Sequence, residues 1–288
     1  MNFTHLQYFK VLAEIENMTH ASNKLHVAQP ALSRALSKLE KDMGVPLFNR
    51  SGKNIILNDN GRILLHHVNI ILQEVEEVRK ILSDKDKKSK KQVSVSMYAG
   101  TPLLPDIIRG FSSKHPDISL IITQQGLSQD CDISILSSSK NIEKKGCITL
   151  LEEDICLAVP SSHPLSKCKK LSLSQVANES FIGLHKGSGL RNITDEYCQK
   201  AGFLPKVVWE SDSPAIMRDL ISLGIGLAFI PKISWAGVYY GDNVTLLDID
   251  SPNCARYIYM SCPENRYISK AAKTFQKYLV NFFENMKN

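Results

Sequence analysis

Residues 21–50, ASNKLHVAQPALSRALSKLEKDMGVPLFNR, decide the reading of this chain. Their spacing predicts two short helices joined by a tight turn, then the start of a basic hairpin. Ala21 and Leu25 belong to the first helix, and His26-Val27-Ala28 make the turn. Pro30 stands near the start of the second helix, where its missing N–H costs nothing. Leu32, Leu36 and Leu39 recur at i, i+4 and i+7, so one stripe of that helix faces a core. Gln29, Ser33, Arg34, Ser37 and Lys38 fall on the open side, with Pro30 at their head. Such side chains hydrogen-bond base edges and phosphates. The layout is that of a helix-turn-helix whose second helix enters the major groove of double-stranded DNA.

The segment Pro46–Asn58 reads as a wing beside that helix. Leu47 and Phe48 anchor it inward, Ser51-Gly52 make its turn, and Arg50 and Lys53 point out toward phosphates or the minor groove. An amphipathic helix pair also occurs in many enzymes, so the particular residues carry the weight. Ala21, Leu25, Gln29, Pro30, Ala31, Leu32, Ser33, Leu39, Glu40, Gly44, Leu47, Phe48 and Arg50 stand in one spacing. In that spacing the segment closely resembles the N-terminal domain of LysR-type transcriptional regulators. The resemblance implies a winged helix-turn-helix, a helix that pairs two copies, and a C-terminal domain that binds a small-molecule effector.

Upstream, Thr4 and Gln7 have capping-box spacing, with Phe3 and Tyr8 as a hydrophobic staple. Leu6, Phe9, Leu12 and Ala13 give the first helix its inner stripe, and Thr19 is the expected cap of the next. Downstream, Asn60 to Ser83 reads as one long helix. Leu64, Val68, Ile71, Val75, Val78 and Leu82 are spaced as a heptad seam. About 24 residues at ~1.5 Å each make a rod of roughly 36 Å. Burying six such side chains gives an upper estimate of ~9–18 kcal/mol per chain. That suffices to pair the helix with a second copy, in a homodimer or homotetramer. The alternative is that the seam docks on the chain's own C-terminal domain. Ser83–Gln92 is polar, has no seam and reads as a hinge.

Beyond it, strand-like and helix-like runs alternate. Strands are expected at Val93–Met97, Ile118–Thr123, Asp132–Leu136, Cys156–Val159, Ser180–Leu184, Val207–Trp209, Leu227–Ile230, Val244–Leu247 and Arg256–Ser261. Helices are expected at Leu103–Lys114, Leu190–Ala201, Ala215–Leu223 and Ser269–Met286. Repeated βα units imply a mostly parallel sheet covered on both faces. The fold expected is therefore an all-α winged helix-turn-helix over 1–59, a linker helix and hinge over 60–91, and an α/β domain over 92–288. Two sets of βα units look like the two-lobed, periplasmic-binding-protein-like effector domain of the same family. Lobe I would comprise 92–161 and 263–288, and lobe II 162–262.

Ligands in such sheets bind at the carboxyl ends of strands, here between the lobes. Gly100-Thr101, Lys186 with Ser188, and Ser213 precede helices, whose N-termini offer free N–H groups to an anion. Gln124 follows a strand. The expected effector is a small organic anion or amino-acid-like metabolite held by Gly100, Thr101, Gln124, Lys186, Ser188 and Ser213. Each hydroxyl also suits a plain helix cap. Between Gly126 and Asp132 stand only LSQDC, where the resemblance implies a longer helical connection.

Composition agrees with a regulator that meets DNA. Residues 1–91 hold fifteen Lys/Arg against ten Asp/Glu, whereas the rest is nearly balanced at 20 against 19. Five of the basic residues cluster in Lys85–Lys91, where they also suit a solvated linker. There is no long apolar run and no signal-peptide core, so the expected location is the cytoplasm, away from membranes. The short glycine pairs at Gly187–Gly189 and Gly224–Gly226 lack a dinucleotide fingerprint. Neither an enzyme, a metal site nor a cofactor is expected. The seven cysteines are scattered and read as reduced thiols. A redox-responsive regulator using Cys198 is the competing reading, because the family includes peroxide sensors with paired cysteines. In the resemblance Cys198 matches their second cysteine, while their first falls at Gly189.

Overall fold

The computed structural model describes residues 2–51, 54–85, 91–124, 131–237, 242–263 and 267–286. The chain divides into two compact units, Met1–Asp86 and Lys87–Asn288.

The first unit begins with α1 (Phe3–Ile15), α2 (Met18–Lys24) and α3 (Gln29–Met43). Asn2 and Asn17 cap the first two helices by accepting from His5 N and His20 N. The expected caps at Thr4 and Thr19 are corrected: each asparagine stands one residue before its helix, where a short carboxamide reaches the free N–H groups. Helix α3 starts without a side-chain cap, with proline in its first turn, and ends at Gly44 in the left-handed region. A hairpin of β1 (Phe48–Ser51) and β2 (Asn54–Leu57) follows, and then α4 (Asp59–Lys85). Leu6, Phe9, Leu12, Leu32, Leu36, Leu39, Leu47 and Phe48 close one core, which Val68 of α4 joins.

In the second unit, β3 (Lys91–Met97) lies between β4 (Ile118–Thr123) and β5 (Ile133–Ser138), parallel to both. Helix α5 (Leu104–Lys114) links β3 to β4. Strand β6 (Cys147–Pro160) then runs out of this core into another. Next come β7 (Lys170–Ser172), β8 (Ser180–Gly183), α6 (Gly189–Lys200), β9 (Lys206–Glu210), α7 (Pro214–Ser222), β10 (Ala228–Pro231) and β11 (Val244–Ser251). Strand β12 (Ala255–Ser261) returns to the first core, and α8 (Lys270–Asn285) closes it.

The resulting sheet order is β4-β3-β5-β12-β6-β11-β7, with β10 also on β6. The expected mostly parallel sheet is corrected to a mixed one. The chain leaves along β6 and comes back along β12, so these strands oppose each other, and β12 also opposes β5. The lobe boundaries move for the same reason. One core holds Leu151, Ile258 and α8, while the other begins at Ile155 and ends at Cys254, inside the boundaries expected near 161 and 262.

Candidate functional site

The first site is the outer face of α3. Leu32, Ala35, Leu36 and Leu39 are buried, and the periodicity of 3.6 then turns Gln29, Pro30, Arg34, Ser37 and Lys38 to solvent, with Ser33 half-buried. The tight turn before α3 is held by Val27 N donating to Ser22 O at 3.0 Å. His26 takes a positive φ of 53° there. The wing is fixed by groups the sequence reading did not single out for that task. Glu40 Oε1 on α3 accepts from Leu47 N, and Glu16 Oε1 at the end of α1 accepts from Leu57 N, each at 2.8 Å. These two carboxylates set the hairpin beside α3. Arg50 is on β1, whereas Lys53 and the turn residue Gly52 lie outside the described residues.

The second feature is α4. Val68 is fully buried, and Leu64, Leu65 and Leu72 pack on the same core. Of the residues expected as contacts with a second copy, Val68 is buried in the core of its own unit and Leu64 packs against that core while half-buried. Ile71, Val78 and Leu82 remain exposed, Val75 is half-buried, and Ile63 and Ile70 are exposed too. At roughly 100° per residue the free stripe lies about a quarter-turn from the buried one. The seam read from the sequence straddles the two. Part of the hinge, residues 86–90, lies outside the described residues.

The third site lies where the two cores of the second unit meet. Ser188 caps α6 and Ser213 caps α7, each accepting from the backbone N–H three residues on at 3.4 Å. The loops before these caps are tied together. Arg191, buried, donates to Asp195 at 2.8 Å, to Leu184 O at 3.1 Å and to Glu210 at 2.9 Å, so it grips the residues preceding both loops. His185 and Asp212 pair at the exposed tips. Lys186 is exposed, and Gly100 is a buried left-handed residue at φ 68° that lets the chain turn into Thr101. Gln124 is exposed beyond β4, while residues 125–130, most of the shortened connection, lie outside the described residues.

Sequence reasoning missed the groups that bring the two cores together here. Ser137 Oγ on β5 is buried and has no hydrogen-bond partner among the described residues, and a Cβ placed on Gly189 would stand 2.6 Å from it. Ser139 Oγ donates to Glu196 Oε2 of α6 at 2.7 Å. Tyr197 OH donates to Ala255 O at 2.8 Å and accepts from Ala255 N, pinning α6 to the start of β12. A serine-rich strand end carries no periodic signal that marks it.

Cys198 is buried in the second core, and burial first, then Asp195, pushes its thiol up to about 12. Glycine stands at 189, where the resemblance puts the first cysteine, and the Cys198 thiol is held protonated, so the redox reading loses its reactive thiolate.

A helix-turn-helix with its wing and a two-core α/β unit with a polar junction define a regulator that couples DNA reading to a ligand. The family description "Bacterial regulatory helix-turn-helix protein, lysR family" matches residues 3–62, and "LysR substrate binding domain" matches residues 88–284. The chain belongs to the LysR family of DNA-binding transcriptional regulators with an effector-binding domain. It is 31% identical to the "Uncharacterized HTH-type transcriptional regulator YybE" of Bacillus subtilis, over 98% of this chain and 99% of that protein. The fold matches full-length CbnR complexed with its target DNA at a TM-score of 0.66 and 20% identity, covering 98% of this chain and 99% of that one. The effector binding domain of QuiR in complex with shikimate aligns at a TM-score of 0.57 and 25% identity, covering 68% of this chain and 99% of that one. Among the described residues, no helix is long and apolar enough to cross a membrane.

Proposed function

We propose that this regulator answers to a small organic anion bound where the two cores of residues 92–288 meet. Ser137 Oγ, facing Gly189 at the start of α6 and without a hydrogen-bond partner among the described residues, carries this reading. It puts a buried hydroxyl beside a helix N-terminus, where a carboxylate is favoured by free N–H groups and by the helix dipole. Thr101, Gln124, Lys186 and Ser188 supply the further contacts, with Gly100 and Ser213 shaping the loops. That QuiR binds shikimate, itself a carboxylate, supports the class of ligand.

On DNA, Gln29, Pro30, Ser33, Arg34, Ser37 and Lys38 of α3 address the major groove, and Arg50 and Lys53 of the wing address the backbone. Two copies pair through the free stripe of α4 with Ile71, Val75, Val78 and Leu82, as a homodimer or within a homotetramer. Residues 1–59 form the DNA-binding domain and 60–91 the pairing helix and hinge. The protein acts in the cytoplasm, as a regulator and not as an enzyme. Ligand binding changes the angle between the cores and shifts the population of DNA-bound assemblies.

The test is thermal unfolding of the full chain with shikimate, other carboxylates and neutral analogues at millimolar concentration. A stabilising anion raises the melting temperature as RT ln(1 + [L]/Kd), and Ser188→Ala together with Lys186→Ala removes the rise. Stabilisation by neutral analogues alone would overturn the assignment.

A further inference from the structure

A groove runs along α3 on its α1 side, with a volume of about 340 Å³. Thr4, His5 and Tyr8 of α1 form one wall, and Arg34 and Lys38 of α3 form the other around Ala35. The small alanine leaves the space open, and both rim cations are exposed. Lys38 pairs with Asp42 at 3.6 Å on the exposed face, so a phosphate would compete with that carboxylate for its ammonium. The first turn of α1 carries no acid, and Asn2 caps it by accepting from His5 N. His5 Nδ1 is closed off from solvent and has no hydrogen-bond partner among the described residues. Hydroxyls, a nitrogen without a partner among the described residues and two cations on the walls of one groove suit phosphate recognition.

We infer that this groove seats one backbone phosphate of the duplex that α3 reads, outside the base pairs it contacts. The occupant follows from continuity: Arg34 belongs to both the open face of α3 and the groove wall. Lys38 then neutralises the phosphate, and Thr4 and Tyr8 donate their hydroxyls to its oxygens. The contact fixes the register of α3 and carries no base information. The inference rests on α3 being the recognition helix.

The experiment uses the full chain and a duplex selected from random sequences. Single phosphates flanking the half-site are replaced in turn by neutral methylphosphonates, and binding is compared with that of the paired variant Thr4→Val and Tyr8→Phe. At one position per half-site, neutralisation should weaken wild-type binding roughly tenfold, as loss of hydrogen bonds to a charged group does. The paired variant should bind the native duplex roughly tenfold more weakly, keep the same base preference, and be indifferent to that neutralisation. Lys38→Gln should lower the salt slope by about one. The phenylalanine keeps the ring that packs on the core, and an unchanged melting temperature confirms that the fold is intact. If wild type selects no sequence, the reading of α3 falls and the inference with it. If it selects one but the paired variant is as sensitive to every neutralised position as wild type, the groove inference alone falls. A shift in base preference, or stabilisation by inorganic phosphate without DNA that the variant loses, would also overturn it.

Discussion

Arg256 Nε donates to Glu153 Oε1 at 2.8 Å, directly across the β6–β12 ladder where the chain passes between the two cores. Both residues are buried, and the carboxylate also accepts from Ile233 N, Ser234 N and Ser234 Oγ. Burial draws the Arg256 guanidinium below the ordinary arginine range, and Glu153 opposes that loss. Removing one partner leaves the other charged without compensation in a place water does not reach. Glu153→Ala should therefore cost about 3–5 kcal/mol in urea unfolding. A loss below about 1 kcal/mol would show that the carboxylate is not holding the crossing strands.

Gly61 occupies a position where no side chain fits. A Cβ there would lie 2.2 Å from Leu47 O and 2.5 Å from Leu57 Cδ1. Asn58 fixes the same junction, donating from Nδ2 to Pro46 O at 3.0 Å and accepting from Gly61 N at 2.8 Å. Gly61→Ala should push α4 off the base of the wing, with an overpacking cost of about 1–3 kcal/mol. Sequence-specific DNA binding should fall with it, while stabilisation by an effector anion persists. A mobility shift unchanged from wild type would refute the assignment of this contact to the wing.

Much of this was legible in the chain, for physical reasons that also mark where legibility stops. Leu32, Leu36 and Leu39 announce α3 because a helix needs one apolar stripe and a polar remainder. The α4 seam was harder: Val68 and Val78 look alike in periodicity, and only the packing of the N-terminal core shows that one is covered and the other exposed. Strand β6 was seen only from Cys156, because Glu152-Glu153-Asp154 reads as a polar break. In the fold Glu153 turns inward to Arg256, and Glu152 accepts from Tyr257 OH at 2.9 Å. A buried carboxylate with a partner a hundred residues away leaves no local signal. The candidate effector loops were found from their small and hydroxyl residues before helices. Ser137 was missed because a strand's end gains its meaning from what another lobe brings to it.

At that junction the close approach of Gly189 to Ser137 yields a two-residue prediction. Gly189→Ala puts a methyl 2.6 Å from Ser137 Oγ, so β5 and the start of α6 must part. The expected cost is about 1–3 kcal/mol, together with weaker anion stabilisation. Ser137→Gly in the same chain removes the obstructing hydroxyl and should restore most of the stability. Equal melting temperatures for the single and double variants would show that the two residues do not meet.

The cysteines give a chemical reading of the same interior. Burial pushes the Cys156, Cys198 and Cys254 thiols up to about 12, so each stays protonated across the physiological range. A thiol is nucleophilic only as thiolate, so all three should resist alkylation and peroxide while the domain stays folded. Cys168 is exposed and should be the first to react. Iodoacetamide labelling of the native protein followed by peptide mass mapping checks the order. In the native state the rate at Cys198 should climb steadily from pH 7 to pH 9, because the thiolate fraction grows throughout that range, and remain far below the rate at Cys168. Cys198→Ser should leave DNA binding insensitive to added peroxide, as in wild type. Rapid labelling of Cys198 at pH 7, or a peroxide response that the serine variant abolishes, would return this chain to the redox-sensing branch of its family.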